Sequence, residues 1–180
     1  MKITALAAGL VSLAGLLTAA APFTLTADGS LAGSATITAM VESQLVVGDR
    51  LTTLGDFEAA REVYDVAAKM MRVQGKLPVD PLRRIANAFY FESQYDSAAV
   101  ILDGLAEEAS SIGDPVNEIW AIADAARMAW LHGAIQDAEQ RSSRALALLD
   151  SSDLPKELRA EIRTKLTSDM TVFAPHLAAR

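Results

Sequence analysis

Over residues 48–67, small and apolar side chains recur at steps of three and four, with polar and charged ones between them. Gly48, Leu51, Gly55, Phe57, Ala60, Tyr64 and Ala67 are separated by three, four, two, three, four and three positions. Such steps keep residues on one face of an α-helix, and small residues on that face let two helix axes approach closely. The interruption at Gly55 suits a chain reversal that needs a small residue or a positive φ. This stretch therefore predicts a helix, a tight turn and a second helix opened by Phe57.

The same intervals fit twice more downstream. One copy runs through Ala86, Phe89, Ser93, Tyr95, Ala98, Leu102 and Leu105; the other runs through Ala126, Ala129, Gly133, Ile135, Ala138, Ser142 and Ala145, where only Ser142 is a weak match. Ser93 and Gly133 then mark reversals, and Tyr95 and Ile135 open second helices. Loop-like residues at 73–78 and 110–113 separate the copies, with Asp80-Pro81 and Asp114-Pro115 expected as N-cap and first helical residue of the next helix. A seventh helix is expected after Ser152 or Asp153. Its apolar residues Leu154, Leu158, Ile162, Leu166 and Met170 recur every fourth position on an otherwise charged segment, as a terminal capping helix requires. A membrane-surface helix is the alternative there, disfavoured because the polar face mixes signs. The last stretch, 171–180, is expected to be an irregular tail.

The order of small, aromatic, Gly, aromatic and Ala positions along two antiparallel helices resembles the tetratricopeptide repeat family. The resemblance covers about residues 41–152, with copies near 41–74, 79–112 and 119–152, the first being the clearest. The corresponding turns lie 38 and 40 residues apart, from Gly55 to Ser93 and from Ser93 to Gly133, against a family repeat of about 34. The resemblance implies an all-α, right-handed α-solenoid of three antiparallel helix pairs plus a C-terminal capping helix, filling residues 35–170. It also implies a ligand groove along the first helix of each pair. One residue round from the packing stripe, that face carries Leu45, Asp49 and Thr52, then Arg83, Asn87 and Tyr90, then Ala123, Arg127 and Trp130, rimmed by Phe91, Trp120 and Asp124. Arg83 and Asn87 are similar to part of the family's carboxylate clamp, although Asp124 stands where that clamp wants an amide. Arg83, Asn87, Tyr90, Arg127 and Trp130 are thus the candidate partner-binding residues, since Arg clamps carboxylates, Asn bonds peptide backbone and Tyr or Trp anchors. The alternative assigns Arg83 and Arg127 to pairing with Asp124, and the two aromatics to the core.

The start of the chain has a different pattern. Lys2 is followed by an apolar run from Ile3 to Ala21, broken only by Thr4, Ser12, Thr18 and two glycines. This is the layout of a secretory signal peptide over residues 1–21, cleaved after Ala20 or after Ala27; an uncleaved membrane anchor is the alternative. Residues 22–34, rich in Thr, Gly and Ser, read as a flexible tether. The expected destination is export, periplasmic or secreted, with no stable membrane insertion after cleavage.

Composition narrows the chemistry. The 180 residues carry a formal charge of −7, or −8 once Lys2 leaves with the leader, a poor basis for nucleic-acid binding. There is no cysteine, hence no disulfide, thiolate metal site or cysteine nucleophile. The two histidines, His132 beside a turn and His176 in the tail, lack metal-motif spacing. Ser142 and Ser143 lack a nucleophile elbow, and the adjacent Glu107 and Glu108 point in different directions on a helix. No cofactor is expected. The function expected is non-catalytic: a scaffold for a protein or peptide partner. The alternative is a self-associating envelope component using the convex face or the capping helix.

Overall fold

The computed structural model describes residues 29–172. Within them the chain is all-α: seven helices, packed as consecutive antiparallel neighbours in three pairs and a final helix. They are α1 (Gly29–Leu54), α2 (Phe57–Val73), α3 (Val79–Phe91), α4 (Tyr95–Ser111), α5 (Pro115–Leu131), α6 (Ile135–Ser151) and α7 (Lys156–Met170). The expected leader, its cleavage site and most of the tail, His176 included, lie outside the described residues.

The repeating frame predicts the core at four of its seven positions, while its fourth is only partly covered at Phe57 and Tyr95 and is exposed at Ile135. Its first, fifth, sixth and seventh positions are buried in all three copies, as Gly48, Ala60, Tyr64 and Ala67, as Ala86, Ala98, Leu102 and Leu105, and as Ala126, Ala138, Ser142 and Ala145. Ser142 belongs to that core: its hydroxyl donates to the Ala138 carbonyl at 2.7 Å, so the buried polar atom is satisfied within its own helix. Phe57, Tyr95 and Ile135 are each the first residue of a second helix. The three reversals adopt the left-handed conformation, with φ of +81° at Gly55, +59° at Ser93 and +88° at Gly133. Gly75 and Gly113 do the same between hairpins, at +69° and +71°.

Gly48 has a second reason to be glycine. A Cβ there would stand 2.7 Å from Cδ1 and Cζ of Tyr64 and closer still to Cε1. The Tyr64 ring of α2 fills the space beside the Gly48 backbone of α1, so the smallest residue of one helix and the largest of the next form a single packing unit.

Three expectations change. Helix α1 begins at Gly29, inside the stretch expected as a tether. At α3 the N-cap position is Pro78, and Asp80 lies in the first turn, where its charge suits the helix dipole without capping it. Asp114 does cap α5, accepting from the Asn117 amide at 3.1 Å with Pro115 following. Neither Ser152 nor Asp153 caps α7, whose N-cap is Pro155; the Ser152 hydroxyl instead donates to the Leu149 carbonyl, closing α6. The capping helix itself packs as expected, with Ile162, Leu166 and Met170 buried and Leu154 and Leu158 partly covered.

Candidate partner-binding surface

Successive hairpins are joined by ion pairs on both sides of the array. Among first helices, Arg84 of α3 reaches Asp49 of α1 (Nε to Oδ1, 2.9 Å), and Arg83 faces Asp124 of α5 at 3.6 Å. Among second helices, Arg72 of α2 holds Glu108 of α4 at 2.5 Å, and Arg141 of α6 holds Asp103 of α4 at 2.7 Å. Each pair spans 35 to 41 residues of sequence. They show that first helices lie beside first helices and second beside second, leaving two long faces.

The first-helix face is grooved. A cleft of about 330 Å³ between α1 and α3 is lined by Asp49, Thr52, Arg83, Arg84, Asn87 and Phe91, with Tyr64 of α2 and Asp80 completing it. A second of about 130 Å³ between α3 and α5 is lined by Arg83, Asn87, Asp124 and Arg127, over Ala86, Leu102 and Met128. Arg83 and Asn87 line both. The two clefts therefore adjoin across α3, making a divided trough along α1, α3 and α5.

Its α1 end is built around Tyr64. The hydroxyl donates to Asp49 Oδ1 at 2.8 Å and lies 3.1 Å from Thr52 Oγ1, which also bonds the Gly48 carbonyl at 3.0 Å. Partial burial works against the Asp49 charge, but hydrogen bonds from Arg84 and Tyr64, with the Arg84 charge, outweigh it and hold Asp49 below the usual carboxylate range. Burial, then the Asp49 anion, push Tyr64 above the usual phenol range. Its middle is less tightly engaged. Arg83 keeps Nε buried without a protein acceptor, and the exposed Asn87 amide makes no hydrogen bond among the described residues. A buried donor left unsatisfied costs on the order of 1–3 kcal/mol; the exposed Asn87 amide is the group open to a bound carbonyl.

Of the residues expected to bind, Arg83, Asn87 and Arg127 come together in the trough. Tyr90 and Trp130 do not line it: Tyr90 lies exposed near the end of α3, and Trp130 packs half-buried against the core. Leu45, Trp120 and Ala123 also pack on the core. The pairing of Arg83 with Asp124 is present, though its length makes it a loose ion pair. Sequence reasoning missed Arg84, Asp80 and Tyr64. Arg84 and Asp49 are 35 residues apart, and no spacing within one helix connects them.

A third cleft of about 330 Å³ lies on the second-helix face, between α4 and α6, lined by Asp103, Glu107, Asp137, Gln140, Arg141 and Arg144. Arg141 is shared there between Asp103 and Asp137, so its charge is already balanced. Compared with models of protein families and with curated protein sequences, the chain matches none. Among the described residues, no helix is long and apolar enough to cross a membrane.

Proposed function

We propose that this chain is an exported, non-catalytic scaffold of tetratricopeptide type that holds a peptide or protein segment along its first-helix face. The observation that carries the reading is the sharing of Arg83 and Asn87 by the two clefts. Adjoining clefts with the Arg83 guanidinium and an unengaged amide between them suit an extended backbone and its carboxylates. The rigid helix pairs on either side would lower the ordering cost of binding.

The test is the double variant Arg83→Ala, Arg127→Ala, used in crosslinking and pull-down from cells of the source. It should stay folded by circular dichroism and lose partners that the wild type captures. If it keeps every one of them, the trough is not the binding site.

Self-association has one observation in its favour. Helix α1 exposes Met40, Val46, Val47 and Leu54, whereas the capping helix spends its apolar stripe inside the chain. A second copy would therefore meet α1 rather than α7. Light scattering on Val47→Glu against wild type decides this reading, since a dimer on that surface would dissociate.

A further inference from the structure

At the end of the array where each hairpin reverses, four aromatic rings form a ladder that the trough does not use as its lining, apart from Phe91 at its mouth. Phe57, opening α2, stacks on Phe91, closing α3, with centroids 5.6 Å apart and planes 21° from parallel. Tyr90 meets Phe91 edge-on at 5.6 Å, and Tyr95, opening α4, stands 5.7 Å from Tyr90. Phe91 is 57% exposed and Tyr90 40%. Neither tyrosine hydroxyl has a hydrogen-bond partner among the described residues.

The rim of this ladder is acidic. Asp56 and Glu58 flank Phe57, Asp96 follows Tyr95, and all three are exposed. The nearest basic side chain in sequence, Arg61, is committed to Glu92 and lies over the Phe89 ring at 4.3 Å.

We infer that this edge is a second docking surface, for a proline-rich segment in the polyproline II conformation flanked by Lys or Arg. Pyrrolidine rings pack on the exposed faces and edges of aromatic rings, and polyproline II is already ordered before it binds. Its carbonyls carry no internal hydrogen bonds, so they accept from Tyr90 and Tyr95. Along a helical ligand the carbonyls short of the last turn are already bonded, so it offers no run of such acceptors. End to end the ladder is at most about 17 Å, room for five or six residues at about 3.1 Å each. Charge selects against the other occupants. An acidic rim repels an anionic lipid surface, and a second copy would bring like charges face to face.

The experiment is a fluorescence-polarisation titration of the full chain with labelled decaproline carrying two C-terminal arginines. A Gly/Ser peptide of equal length and charge is the control. The proline peptide should bind, with the control at least tenfold weaker. Phe91→Ala should lose at least tenfold. Tyr90→Phe, which keeps the ring and the packing, should lose a few-fold, and Asp96→Asn should reduce the dependence on salt. The trough variant Arg83→Ala, Arg127→Ala should bind the proline peptide as the wild type does, so the two surfaces stand or fall separately. Equal affinity for both peptides, no binding by either, or binding indifferent to Phe91→Ala and Tyr90→Phe overturns the assignment. So does Phe91-dependent flotation with phosphatidylcholine vesicles, or a Phe91-dependent dimer, in the absence of proline-peptide binding.

Discussion

Gly48 and Ser93 show how single residues set this architecture. Gly48 is required by a neighbour, because the Tyr64 ring occupies the space a Cβ needs. Gly48→Ala must displace either a buried ring or the helix axis, and overpacking of this kind costs about 1–3 kcal/mol. Urea unfolding should show that loss despite the better helix propensity of alanine. Ser93 is the opposite case: it occupies a left-handed position, φ +59°, where the equivalent turns have glycine. Ser93→Gly should relieve that conformation and raise stability by about 1 kcal/mol, readable as a higher unfolding midpoint. No change on Ser93→Gly would mean that serine carries no strain there. The sequence showed both positions as small residues in a recurring frame. It did not show that one is small for lack of space and the other for its backbone angle.

At the scale of elements, the junction of α1, α2 and α3 depends on charge as well as packing. Asp49 is held below its usual range by Arg84 and Tyr64 against the effect of burial. Its contribution to stability is therefore present above the unfolded carboxylate pKa, about 3.9, and is lost as pH falls through the lower folded value. Tyr64 is shifted upward, first by burial and then by Asp49. Its contribution is full below the unfolded phenol pKa of about 10 and fades as pH rises through the folded one. Asp49→Asn should flatten the acid limb of the stability profile, and Tyr64→Phe the alkaline limb. The effect on the acid side should be small, since half of the Asp49 side chain remains exposed. An acid limb unchanged in Asp49→Asn would remove this junction from the account.

For the whole molecule, the array needs an end. Helix α7 buries Ile162, Leu166 and Met170 in the core that holds Leu146 and Leu149 of α6, and Arg163 ties it to Asp150. Ending the chain at Ser152 should expose Leu149, lower the melting temperature by several degrees and increase binding of a hydrophobic dye. A truncated chain that melts like the full one would show that α6 closes the array unaided.

The sequence by itself determined the helices, their pairing and most of the core, because periodicity and turn chemistry are local and recur three times in the frame from Gly48 to Ala145. It also singled out Arg83, Asn87 and Arg127, since rotating one residue from a packing stripe locates the adjacent face of the same helix. Only the tertiary structure decided which of those faces meet. The Asp49–Arg84 pair, the trough shared across α3 and the aromatic ladder from Phe57 to Tyr95 all join separate helices. Their geometry depends on how one hairpin is set against the next, and no spacing along a single helix records that angle.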